Sequence, residues 1–90
     1  MRKREAWMNK ATDPVLELLE DSGLALPPNA IIVNVQRGLS DPPSEPTFYR
    51  TLGPLEENGF IETIPEREKF YRITEKGRRY LAGEDPETKD

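Results

Sequence analysis

The chain contains no cysteine and no histidine. Without thiols there is no disulfide framework and no thiolate metal site. Without imidazole, the commonest zinc ligand and the side chain that titrates near neutral pH are both missing. Most catalytic schemes thereby lose their central residue. Large apolar residues are also sparse: hydrophobic types make up 34% of the chain and aromatics 8%, with a single tryptophan. No apolar run approaches the ~20 residues of a membrane span. The basic N-terminus is followed by no signal-peptide core, so the expectation is a cytoplasmic protein without membrane association. What remains is enough for one small domain in 90 residues, because aromatics and branched aliphatics are spread from residue 7 to residue 81.

Charge is plentiful and uneven. Thirteen basic residues stand against 17 acidic ones, for a net charge of −4, whereas nucleic-acid binders are usually basic. The segment 84–90 alone carries −3, and residues 1–10 run the other way, with Arg2, Lys3, Arg4 and Lys10 against Glu5. The organisation expected is a basic N-terminal arm over 1–12, a nearly neutral domain over 13–83 and an acidic, disordered tail over 84–90. Both ends read most simply as solvated termini.

Punctuation divides the middle of the chain. Asp13-Pro14 supplies a capping side chain and a residue preset for the first helical position. Val15, Leu16, Leu18 and Leu19 then recur at helical spacing until Gly23, predicting a helix over 14–22. Leu24 to Leu26 reads as a connector. In the segment from Pro28 to Gly38, Ile31, Ile32, Val33 and Val35 would suit a strand, but the proline start and the segment's length favour a short helix. Ser44 is a cap candidate for a third helix over 45–58, closed by Gly59. Phe48, Leu52 and Leu55 form its buried stripe, and Pro46, Arg50, Gly53, Pro54 and Glu57 lie opposite, with Tyr49 at the edge. Gly53-Pro54 predicts a kink there, or two short helices in place of one.

From Phe60 the period changes to two. FIETI and KFYRI alternate on either side of Pro65 to Glu68, the pattern of an antiparallel hairpin with a charged tip. Thr74 then caps a last helical segment over 75–82, EKGRRYLA, that buries Tyr80 and Leu81 and stops at Gly83. A two-stranded ribbon needs helices to pack on, so the fold class expected is α+β.

Two stretches carry a family resemblance. SEPTFYRTLGPLEENGFI has a polar cap, an apolar-x-Arg-x-Leu-x-x-Leu core and a glycine followed by two apolar residues; YRITEKGRRYL has an apolar residue, Thr, two polar residues, Gly and a closing Tyr-Leu. Together with Trp7-Met8 and the helix that follows, they resemble the winged helix-turn-helix pattern of the PhiH-type phage-repressor-like proteins of haloarchaea. The resemblance covers about residues 7–83. It departs at Thr51, where such proteins often carry a second basic residue, and at Gly53-Pro54.

The resemblance implies a three-helix body with a two-stranded wing and a short C-terminal helix, acting as a DNA-binding, repressor-like transcriptional regulator. Its partners would be double-stranded DNA and a second copy of the chain, with no cofactor, metal or small-molecule ligand. Helix three would enter the major groove and the hairpin would lie on neighbouring backbone. The residues that would touch DNA are Ser44, Pro46, Thr47, Tyr49 and Arg50 on helix three, Arg67 and Lys69 on the wing, and Arg2, Lys3 and Arg4 in the arm. Two have a plainer alternative, Arg50 pairing with Glu57 or Glu45 and Tyr49 covering the core edge; Arg78 and Arg79 form a further basic cluster that could meet phosphate or simply serve a helix C-terminus. Glu66 and Glu68 cancel the far field of the wing cations, leaving direct contact but no steering. The acid-rich composition, with eight Arg to five Lys, fits a protein of concentrated salt, where counterion release contributes little and hydrogen bonds and shape carry binding. The alternative function is a winged-helix module that binds another protein, kept open by a net −2 over residues 44–58. An enzyme is not expected, since the carboxylates converge on nothing.

Overall fold

Three helices, a hairpin and a closing helix follow in the expected order: α1 (Thr12–Ser22), α2 (Pro28–Gly38), α3 (Glu45–Glu57), β1 (Ile61–Ile64), β2 (Arg67–Ile73) and α4 (Glu75–Leu81). This computed structural model describes residues 2–84, so the acidic tail expected over 84–90 lies outside the described residues except for Glu84.

Helix α1 begins two residues before the predicted start, and Asp13 does not cap it. Ala11 occupies the cap position without a side-chain bond. The preceding turn is held instead by Asn9, whose backbone N–H donates to Thr12 Oγ1 at 3.0 Å and whose Oδ1 accepts from the Ala11 N–H at 2.9 Å. At the other end Gly23 takes φ 65° and donates its N–H to Leu19, as a left-handed stop requires.

In α2 the β-branched residues are helical. A strand would place Ile31, Val33 and Val35 on one face, but Ile31, Ile32 and Val35 are the buried ones and Val33 is 49% exposed. That is a 3.6-residue period. Helix α3 runs unbroken through Gly53-Pro54, so the alternative of two short helices does not hold. Its last turn is secured on the proline itself, because the Asn58 backbone N–H and side-chain amide both donate to the Pro54 carbonyl, at 2.9 and 2.8 Å.

Gly59, at φ 80°, closes α3, and the Phe60 N–H returns to the Leu55 carbonyl. This turns the chain directly into the hairpin and drops Phe60 into the core. β1 and β2 pair antiparallel, with a turn at Pro65-Glu66, so the tip is shorter than expected and β2 starts at Arg67. The register passes from Thr63↔Tyr71 to Ile64↔Arg67, leaving Glu68, Lys69 and Phe70 as a bulge. The connector after α1 adds to the sheet: Leu26 and Tyr71 exchange two backbone hydrogen bonds of 2.9 Å, a bridge that ties α1 to the outer edge of β2.

Thr74 caps α4 as predicted, accepting from the Gly77 N–H at 3.1 Å and donating to the Gly59 carbonyl. Gly77 itself is required. A Cβ there would stand 2.5 Å from the Phe60 carbonyl oxygen and 2.7 Å from the Ile73 side chain, and the backbone atom cannot yield.

The core joins Leu16 and Leu19 of α1, Ile31 of α2, Phe48 and Leu55 of α3, and Tyr80 of α4 around Phe60, all fully buried. The N-terminal segment belongs to it. Ala11 is buried, and the Trp7 ring lies 5.7 Å from that of Phe60, which in turn lies 5.6 Å from Tyr80. Trp7 and Met8 thus tie the N-terminal segment to the body, while residues 3–6 and Lys10 stay exposed.

Candidate nucleic-acid interface

The outward side of α3 is built by what its inward side buries. With Phe48, Thr51, Leu52 and Leu55 turned into the core, helical geometry sends Pro46, Tyr49, Arg50 and Gly53 to solvent, and Tyr49 is 55% exposed. Arg50 makes no ion pair with Glu45, Glu57 or any other described residue, so its guanidinium fork is free on the surface. At the front of the helix, Ser44 does not cap by its side chain. Its carbonyl accepts from the Thr47 and Phe48 N–H groups, while its hydroxyl pairs with that of Thr47 at 3.0 Å. Two hydroxyls thus sit together beside exposed Pro46.

Thr51, the departure from the family pattern, is 2% exposed and faces inward. Its Oγ1 lies 2.7 Å from the Thr47 carbonyl and 2.9 Å from Asn9 Oδ1, between two acceptors that share its one proton. A long basic side chain at this position would be driven into the interior. The threonine links α3 to the N-terminal segment instead.

On the hairpin, Arg67 and Lys69 are both exposed and neither is ion-paired. Arg67 lies 5.3 Å from the centre of the Phe70 ring, a cation–π contact that fixes its stem while leaving its donors to solvent. Lys69 holds φ 62°, the one non-glycine residue in the left-handed region among those described. Glu66 and Glu68 are exposed beside them.

Arg37 aside, the other arginines are engaged. Arg2 reaches Glu17 at 2.8 Å and Asp13 at 3.1 Å, and its Nε donates to the Leu81 carbonyl. Arg4 meets the other oxygen of Asp13 at 2.8 Å, and that oxygen also accepts the buried Tyr80 hydroxyl at 2.7 Å. These bonds hold the Arg2 guanidinium above its ordinary pKa, led by the hydrogen bond to Glu17. Burial first, and the bond to Asp13 second, push the Tyr80 phenol up. Arg78 pairs with Glu20 and Glu75, Arg79 with Glu75, and Arg72 with Glu62. Lys3 is exposed and also has an interaction of its own.

The sequence assigned Arg2, Lys3 and Arg4 to DNA alongside Arg50, Arg67 and Lys69. In the fold, Arg2 and Arg4 sit against α1 and α4. It assigned no DNA contact to Lys10 or Arg37, both exposed and without an ion pair among the described residues. Arg37 lies in the last turn of α2, where a cation is favourable for the helix alone.

A three-helix body whose third helix runs straight into a β-hairpin, closed by a short helix, is a winged helix. The crystal structure of the PhiH1 repressor-like protein from Haloarcula marismortui is similar to it, with a TM-score of 0.74 at 24% identity over 92% of this chain and 86% of that one. No family model and no curated protein matches the chain. The similarity is one of fold.

Proposed function

We propose that the protein is a DNA-binding transcriptional regulator of the repressor-like kind. It sets the outer face of α3 in the major groove of duplex DNA and the hairpin on the flanking backbone. The observation that carries this reading is the sorting of cations. Arg50, Arg67 and Lys69, on α3 and the wing, lack acidic partners among the described residues, whereas Arg2 and Arg4 of the N-terminal segment and Arg78 of α4 are paired within the fold. Arg50 reads a base or a phosphate through its fork, Tyr49 and the Ser44–Thr47 hydroxyl pair donate to phosphate, and Pro46 packs against the groove wall. Arg2, Lys3 and Arg4 contribute less, since Asp13 and Glu17 already satisfy two of them. One such module buries little surface on DNA, so the working unit is a homodimer on a two-half-site operator. The acid-rich surface suits a salt-rich archaeal cytoplasm.

Selection from random duplex DNA at several salt concentrations tests the proposal. Enrichment of a two-half-site motif is expected, and recovery of no preferred sequence at any salt would contradict it. A second reading, a protein-binding winged helix, is favoured by the exposed Glu45, Glu56 and Glu57 on α3. The same selection separates the two.

A further inference from the structure

We infer that Lys10 is a DNA-backbone contact, held beside the recognition helix by the hydrogen bond between Asn9 and Thr51. The inference rests on the regulator reading and adds a residue to it. Thr51 is buried on the flank of α3 that faces the N-terminal segment, and Asn9 Oδ1 lies 2.9 Å from its hydroxyl. Asn9 is itself fixed: the Ala11 N–H donates to its side chain, and its own N–H donates to Thr12. The next residue is Lys10, whose Cα is ~3.8 Å along the chain. It is exposed and has no acidic partner among the described residues.

Thr47 stands one turn toward the N-terminus of α3 from Thr51, and its carbonyl accepts from the Thr51 hydroxyl. Lys10 is therefore anchored next to the first turns of α3, the part of the helix that the regulator reading puts against DNA. The other basic residues of the N-terminal segment are differently placed. Arg2 and Arg4 are turned back onto Asp13, and Arg4 Nη2 donates to the Asn9 carbonyl at 3.1 Å, which helps hold the segment in place. The charge of Lys10 is what this segment leaves for a ligand. A lysine at this position suits a phosphate, which asks for a point charge and no particular geometry.

The test is the salt dependence of duplex binding by the full chain, using the duplex recovered by selection, for the parent, Lys10→Gln, Lys10→Arg and Arg78→Gln. Loss of one phosphate contact lowers the slope of log K against log salt by about 0.9, so the deficit of Lys10→Gln shrinks roughly 3-fold between 50 and 200 mM salt. Lys10→Arg restores the parent slope and Arg78→Gln keeps it. Parent binding with an unchanged slope and affinity in Lys10→Gln overturns the Lys10 contact and leaves the regulator reading standing. Absence of duplex binding by the parent overturns both.

Discussion

The two ends of this small domain use charge in opposite ways. Where the N-terminal segment meets α1 and α4, cations are consumed by the fold: Asp13 accepts from Arg2, Arg4 and Tyr80 within 3.1 Å. On α3 and the hairpin, Arg50, Arg67 and Lys69 are exposed without an acidic partner among the described residues. The difference teaches that a net charge of −4 says little about binding. What matters is which positive charges remain uncommitted once the chain has folded, and where they lie. It also divides the expected effects of mutation: changes at the Asp13 cluster should cost stability, and changes on α3 and the hairpin should cost binding.

The largest effect should follow from Gly77→Ala, which drives a Cβ to 2.5 Å from the Phe60 carbonyl. Overpacking against backbone costs about 3 kcal/mol, a fall in Tm of roughly 12–24 °C for a domain of this size, read by thermal unfolding. Asp13→Ala comes next, at about 2 kcal/mol. Most of that comes from the buried Tyr80 hydroxyl left without an acceptor. The ion pairs contribute less, because the Arg2 and Arg4 side chains are 33% and 46% exposed and screened by water. DNA affinity of the folded fraction should stay at the parent value, and a large loss there would break the division.

Tyr80 also gives the Asp13 cluster a pH signature. Its phenol is held up by burial and by the bond to Asp13, and burial raises that of Tyr71 as well. The unfolded chain therefore releases protons near the ordinary phenol value of about 10, while the folded chain retains them. Stability is fully present below that pH and declines as pH rises through it. Tyr80→Phe should flatten part of the decline, as followed by denaturant unfolding between neutral pH and pH 11.

On the opposite side, Arg50→Ala should change stability by no more than about 0.5 kcal/mol. If Arg50 reads a guanine, base preference falls by about 1.5 kcal/mol, measured by competition between duplexes. The smallest effect is expected of Lys69→Gly. It relieves a left-handed φ of 62°, so stability should rise by less than about 1 kcal/mol while the salt slope of DNA binding falls. Opposite signs in one variant would sharpen the comparison most.

The helices and the hairpin were legible because each is announced locally: Pro28 and Thr74 at starts, Gly23 and Gly59 at stops, a change of period after Phe60. The inward position of Thr51 was legible too. At ~100° per residue it lies about 60° from Phe48, on the apolar side, but it was weighed as a missing cation. The rest depends on partners far apart in sequence. Nothing local marks Leu26 as a bridge to Tyr71, Asp13 as the acceptor for Tyr80, or Asn9 as the partner of Thr51. Gly53-Pro54 reads as a break in isolation, and α3 continues because Asn58 secures the turn after it. For the same reason the arm was expected free. Arg2 and Arg4 look like solvated charges until α4 brings Tyr80 and Leu81 alongside.

The most direct measurement is the salt dependence of duplex binding by a triple variant, Arg50→Gln, Arg67→Gln and Lys69→Gln, beside Arg78→Gln with Arg79→Gln. Three lost phosphate-range contacts should lower the slope by up to about 2.7, with the double variant keeping the parent slope. Equal slopes for the triple variant and the parent would contradict the assignment of DNA binding to α3 and the hairpin.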